Sequence, residues 1–269
     1  MIDKETILKD SLSNNVFSVS EDLDNAFIFT LSDLHIGMGN MNYIREIVKF
    51  IEKLDNAYVI VGGDLLDNPT RNSLGSVLEN YMAPQEQIAM AVKLLEPIKS
   101  KIVAIIEGNH EKRTEKDCYI SITQMIATML GIPETYKREL AIGYFTFNKN
   151  CYVYVDLHKH RKTKNYYNFY NADILVLEHT HEFNYTEAPI VFHNRYTKQP
   201  TVRIAYTINN GSALAFPHYA KFAGYSMQSI GTYVVEVSGT KRNIKVWKDV
   251  DLIEAIERGY RTRLSTTPT

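Results

Sequence analysis

The chain has 269 residues, and its 30 Lys and Arg nearly balance 31 Asp and Glu, giving a formal charge of −1. That length suits one large α/β domain with a sizeable core, and a hydrophobic fraction of 45% excludes wholesale disorder. Near-neutral charge removes the global signature of a nucleic-acid binder, although a local basic patch is compatible with it.

Residues 1 to about 25 are polar and carry six acids against two lysines, which predicts a loosely held N-terminal arm. They lack the basic start and apolar run of a signal peptide, so a cytoplasmic location is expected. From Ala26 to Leu31 a continuous apolar run predicts a buried strand that stops at Ser32-Asp33. Ile44, Ile47, Val48, Ile51 and Leu54 recur at helical spacing. A second strand, Tyr58 to Val61, stops at Gly62-Gly63-Asp64. A helix follows from Ala83 to Leu95, with Pro84 tolerated in its first turn and Pro97 marking its end. A third strand, Ile102 to Ile106, stops at Gly108-Asn109-His110. Three strand–helix units in series imply a largely parallel sheet, whose ligands bind at the carboxyl ends of the strands.

The second half predicts a helix from Tyr119 to Leu130, closed by Gly131. A strand from Tyr152 to Leu157 runs into His158, and another from Ile174 to Leu177 runs into Glu178-His179-Thr180-His181. The β-rich stretches Val202 to Ile208, Thr232 to Val237 and Asn243 to Trp247 predict a second, more antiparallel sheet. The expected architecture is α/β: two packed mixed β-sheets flanked by helices, in a single domain spanning residues 26–269. The apolar runs are strand-sized, well short of the ~20 residues of a membrane span. Cys118 and Cys151 are too few for a disulfide framework. They suggest a reduced compartment and should pack as small hydrophobes.

Five polar fragments stand in order: Asp33-Leu-His35, Gly63-Asp64-Leu-Leu-Asp67, Gly108-Asn109-His110-Glu111, a strand-terminal His158, and His179-Thr-His181. Each alone is an ordinary loop signal, but all five fall at strand ends. Carboxylate, imidazole and amide oxygen together suit Mn²⁺, Fe or Zn²⁺, whereas a calcium cage would lack imidazole. If the chain stays extended after Leu177, alternation places the rings of His179 and His181 on one face.

This ordered set resembles the calcineurin-like metallophosphoesterase superfamily, whose pattern is Asp-x-His, Gly-Asp-x-x-Asp, Gly-Asn-His-Asp/Glu, a separate His, then Gly-His-x-His. The resemblance runs from about Phe27 to about Ser212. It implies a four-layer α/β/β/α sandwich and two divalent ions, Mn²⁺ foremost, with Fe, Zn²⁺ or Ni²⁺ as alternatives. It further implies that Asp33, His35 and His181 bind one ion and that Asn109, His158 and His179 bind the other, with Asp64 bridging. His110 resembles the catalytic histidine that assists the leaving group, and Asp67 the acid that orients it. The reaction so implied is hydrolysis of a phosphate ester by a metal-bridging hydroxide.

The chain departs from that pattern at two places. Glu178 stands where the family has glycine, and it either crowds the turn or supplies a hydrogen bond behind a ligand. The separate histidine lies in Asp156-Leu-His158-Lys-His160, where His158 is preferred because it follows the strand directly. Asn109 and Arg113 are candidate substrate contacts, with a solvent-exposed role for Arg113 as the alternative. His193 and His218 lie outside the motifs and are expected to be surface or core residues. Lys159, Arg161, Lys162 and Lys164, followed by Tyr166, Tyr167, Phe169 and Tyr170, form either a solvated loop or a surface for a phosphate backbone and stacked bases.

The protein Ser/Thr phosphatase branch reads Gly-Asp-x-x-Asp-Arg-Gly, but here Asn68-Pro69 follows Asp67. The surrounding stretches look more like stand-alone bacteriophage phosphoesterases, distantly similar to the DNA-repair exonuclease branch. A phosphodiester, in nucleic acid or a cyclic nucleotide, is therefore the expected substrate. The alternatives are a phosphomonoesterase or phosphoprotein phosphatase and, from a different class, a non-catalytic metal-binding scaffold.

Overall fold

The run Asn25–Leu31 is apolar throughout because its strand buries both faces. Phe27, Phe29 and Leu31 enter one core, while Ala26 and Ile28 enter another. The computed structural model describes residues 4–70, 80–138, 140–158, 171–194, 196–214 and 229–260. Its elements begin with α1 (Lys4–Ser13), β1 (Val16–Glu21), β2 (Asn25–Leu31), α2 (Met41–Glu52), β3 (Ala57–Val61), α3 (Pro84–Leu95) and β4 (Ile102–Ile106). Next come α4 (Glu111–Cys118), α5 (Ile122–Met129), β5 (Tyr136–Lys137), β6 (Leu140–Phe147), β7 (Asn150–Leu157) and β8 (Ile174–Leu177). The chain ends with β9 (Asn184–Asn194), β10 (Gln199–Asn209), β11 (Tyr233–Ser238), β12 (Ile244–Lys248) and α6 (Asp249–Glu257).

These strands form two six-stranded mixed sheets, ordered β12-β11-β2-β3-β4-β5 and β1-β6-β7-β8-β10-β9. In the first, β2, β3, β4 and β5 are parallel, and β11 and β12 continue it antiparallel. Helices α2, α3 and α5 cover its outer face with Ile44, Ile47, Ile51, Ile88, Leu95 and Ile126. Its inner face meets the second sheet through Ile28, Ile60 and Ile106 against Phe145, Tyr152, Tyr154 and Val176. Fully burying side chains of this size is worth ~1.5–3 kcal/mol each, so the inter-sheet layer is a major source of cohesion.

Helix α2 begins where Asn40 Oδ1 accepts from the N–H groups of Asn42 and Tyr43, at 3.2 and 3.1 Å. Ser121 caps α5 in the same way, which starts that helix after the predicted Tyr119. Tyr119 itself is left-handed and closes the preceding helix α4.

Three expectations are corrected. Residues 16–21, expected within a loose arm, form an edge strand paired parallel to β6 from Val16↔Ile142 to Glu21↔Phe147. Their alternation is masked by Ser18, Ser20 and Glu21 on a strand with little buried face. The stretches near 232–237 and 243–247 do not join the second sheet, because β11 pairs with β2 and so extends the first. Both cysteines are exposed rather than packed. Among the described residues, no helix is long and apolar enough to cross a membrane.

Candidate metal centre

The predicted ligands gather where β2, β3, β4, β7 and β8 end, and most of them occupy strained backbone. Asp33, His35, Asp64, His179 and His181 have φ of 50°, 44°, 54°, 75° and 54°. Residues with a Cβ are uncommon in this left-handed region, and clusters of them mark sites that the surrounding structure over-determines. Cross-strand hydrogen bonds hold the turns: Asp33 N–H donates to Gly63 O at 2.9 Å, and His35 N–H to Asp64 O at 3.0 Å. The extended shape predicted for His179-Thr-His181 is not kept. The left-handed turns, not strand alternation, send the two rings toward different carboxylates.

Two donor sets result. In the first, His181 Nε2 lies 3.1 Å from Asp33 Oδ1 and 3.4 Å from His35 Nε2. In the second, His158 Nε2 lies 3.3 Å from Asp64 Oδ2 and 3.0 Å from Asn109 Oδ1, and His179 Nδ1 is 3.8 Å from the same Asp64 oxygen. His179 links the sets, since its N–H donates to Asp33 Oδ2 at 3.2 Å. Burial alone would raise the pKa of Asp33 and Asp64, but His181 holds the first carboxyl down, and His158 with His179 holds the second well down. Burial would likewise lower His158 and His181, yet the facing carboxylates raise both, His158 strongly.

The donors fit a divalent cation. Asp64 Oδ2 is buried and accepts no hydrogen bond, although three imidazoles face it. Metal–ligand bonds of ~2.0–2.2 Å put neighbouring ligands roughly 3–3.5 Å apart, close to the spacings found here. Groupings able to hold an ion are Asp33–His35–His181, Asp64–His158–His179 and His35–Asp67–His110.

His110 stands beside the second set, with Nε2 3.8 Å from Asp64 Oδ2. Its Nδ1 donates to the main-chain carbonyl of Asp67 at 2.6 Å, whereas the Asp67 carboxylate is 3.6 Å away. The residue expected to orient His110 therefore does so through its backbone. Its carboxylate instead accepts from Asn80 Nδ2 at 2.7 Å and lies 3.5 Å from His35 Nδ1. Arg113 reaches inward, its Nη2 donating to His110 Nε2 at 2.9 Å and its Nη1 to Asp67 O at 3.2 Å. Burial, joined by His35 and Arg113, lowers the His110 pKa to about 4.

Further residues support the site, and Asn68, Asn80 and Gln87 among them carried little signal in the sequence. Glu111 accepts from the N–H groups of Gly108, Asp64 and Leu66 at 3.0, 3.1 and 2.8 Å, and burial beside Asp64 pushes its pKa up to about 7. Asn68 Nδ2 donates to His110 O at 2.7 Å, and Asn68 N–H donates to the buried Gln87 at 2.8 Å. Gln87 in turn donates to Asn80 Oδ1 at 3.0 Å, so one hydrogen-bonded chain runs from α3 to Asp67. Only the Glu after Gly-Asn-His was flagged by a motif. Glu178 does not crowd the turn: its Oε2 accepts from Gly63 N–H at 2.9 Å and from His158 Nδ1 at 3.1 Å. Beside it, the buried Asp156 accepts from Thr30 Oγ1 at 3.3 Å, and burial, joined by the neighbouring Glu178, raises its pKa well above the ordinary value.

His193 is exposed on β9. His160, His218, the basic residues Lys159, Arg161, Lys162 and Lys164, and the aromatic residues 166–170 lie outside the described residues.

No curated protein sequence matches the chain. Solved structures similar to it include a predicted phosphoesterase from Streptococcus pneumoniae, at 14% identity, covering 84% of this chain and 91% of that one, with a TM-score of 0.39. Zinc-complexed Vps29 from Entamoeba histolytica matches at 12% identity, 83% and 98% coverage, and a TM-score of 0.40. Vps29 from Cryptosporidium parvum matches at 16% identity, 84% and 98% coverage, and a TM-score of 0.40. The model of the calcineurin-like phosphoesterase family matches residues 28–222, which takes in every residue of both donor sets, and the chain belongs to that family of metal-dependent phosphoester hydrolases.

Proposed function

We propose that the chain is a two-metal phosphodiesterase. The observation that carries this reading is the position of Asp64, whose unpartnered buried oxygen faces His158 and His179 while His179 also ties to Asp33. Bound divalent ions, Mn²⁺ foremost, supply Lewis-acid charge to the phosphoryl oxygens and a water made nucleophilic at neutral pH. Asp33, His35 and His181 would hold one ion and Asn109, His158 and His179 the other, with Asp64 as the carboxylate that would serve both. His110 presents Nε2 to the leaving oxygen, with its ring fixed by the Asp67 carbonyl. Arg113, which donates to that same Nε2, is also within reach of a phosphoryl oxygen of an ester held at His110.

Support for a diester comes from position 68. The protein-phosphatase branch places an arginine there, whereas Asn68 is buried and bonded to His110 O, Thr114 and Gln87. Position 68 itself therefore supplies no cation for the second charge of a monoester. The test is a panel of a bis-aryl phosphate, a mono-aryl phosphate, single- and double-stranded DNA and cyclic nucleotides at saturating Mn²⁺. Faster turnover of the bis-aryl phosphate is expected, and preference for the monoester overturns the diester assignment.

A further inference from the structure

We infer that Glu178 is a positioning residue for the second ion, because its buried carboxylate, 3.1 Å from His158 Nδ1, fixes that ring with Nε2 turned toward Asp64 and Asn109. This rests on the two-metal reading and adds a residue to it.

The ring is gripped from both edges. On one side Nδ1 donates to Glu178 Oε2, and on the other Nε2 meets Asp64 Oδ2 and Asn109 Oδ1. A carboxylate accepts but cannot donate, so Nδ1 keeps its proton against Glu178, and Nε2, facing the oxygens of Asp64 and Asn109, is the nitrogen left to bind an ion. The same Glu178 oxygen accepts from Gly63 N–H, joining the turn that carries Asp64 to the strand end that carries His158. Glu178 N–H, donating to Leu157 O at 3.1 Å, closes β7 against β8 beside that histidine.

Space has been left for this arrangement. A Cβ on Gly62 would lie 1.8 Å from Glu178 Oε1, and one on Gly63 would lie 2.5 Å from the His158 ring. The two glycines preceding Asp64 are thus the complement of Glu178 and His158.

Glu178→Met tests the chemistry at similar side-chain length, whereas in Glu178→Gln an amide oxygen would keep the acceptor that Oε2 offers to both Gly63 N–H and His158 Nδ1. A thioether is at best a weak acceptor, so Nδ1 loses the partner that holds its proton and the ring is no longer fixed with Nε2 open to the ion. Titrating Mn²⁺ into metal-free full-length protein should give two sites in the parent. In the variant one site should weaken by roughly 10–100-fold, the usual effect of losing a ligand's supporting partner, while the other is little changed. The zinc-loaded parent, labelled with ¹⁵N-histidine, should show His158 protonated at Nδ1, and this holds the test open if the variant does not fold. Equal affinities in parent and variant, or a proton on Nε2, overturn the inference. A parent that binds two ions yet cleaves no ester defeats the proposed function and leaves this inference standing, since both readouts concern metal binding alone.

Discussion

The Nδ1 atom of His110 lies 2.6 Å from the carbonyl oxygen of Asp67, a full ångström closer than that residue's carboxylate at 3.6 Å. The partner that sets the imidazole's tautomer is therefore one that no side-chain substitution removes. His110→Ala should keep both ions and lose ~10²–10⁴-fold in turnover, the usual worth of a positioned acid. Asp67→Asn should lose much less and keep its pH–rate profile. Steady-state rates with metal analysis check this, and equal losses in the two variants would return the orienting role to the carboxylate.

In the proposed two-metal reading Asp64 serves both ions, so its substitution should act on both. Asp64→Asn is expected to lower occupancy at both positions, while Asp33→Asn should mainly empty one. Elemental analysis of dialysed protein reads this directly. A single ion in the parent, or an unaltered count in Asp64→Asn, contradicts the assignment.

Without metal, the site should make stability fall as pH rises. The raised pKa values of His158 and His181 mean that the fold binds more protons than the unfolded chain above their ordinary value of 6.5. Their contribution is complete below pH 6.5 and is lost as pH rises through the folded values. Glu111, raised to about 7, acts in the same direction between its ordinary 4.5 and 7. His110, lowered to about 4, acts oppositely but only below 6.5. Thermal unfolding in EDTA should therefore show Tm falling between pH 6.5 and 9, and Mn²⁺ should reduce the slope. A flat or rising Tm in EDTA would contradict the electrostatics.

Glu111 accepts from three backbone donors at once, more than an amide in its place accepts. Glu111→Gln should leave at least one of those buried N–H groups unsatisfied, a loss of about 1–3 kcal/mol in urea unfolding. An unchanged midpoint would show that the turn does not depend on this carboxylate.

The parts of the molecule legible in the sequence are those governed by local pattern. Strands such as Ile102–Ile106 and Ile174–Leu177 are apolar on both faces and stop at polar clusters, so their bounds match the expectation. Helix α4 escaped because Glu-Lys-Arg-Thr-Glu-Lys-Asp-Cys has no apolar stripe. It is held by its place after the Gly-Asn-His turn. The side chains between ligands were harder still. Asn80 and Gln87 reach Asp67 through contacts set only by tertiary structure, and neither has a spacing that pattern reading detects. Glu178 was visible as a departure, but which of its two consequences holds depends on the room beside Gly62.

The donor sets draw on both sheets: Asp33, Asp64 and Asn109 follow strands of the first, and His158, His179 and His181 follow strands of the second. Asp33 and His181, 3.1 Å apart in space, are separated by 148 positions along the chain. An ion held there acts as a non-covalent cross-link closing a very long loop, and its binding free energy becomes folding free energy of the docked pair of sheets. Chelation should then loosen the seam between the sheets before either sheet unravels. Hydrogen exchange would register this first at β7 and β8, making these two strands reporters of whether the protein carries its metal.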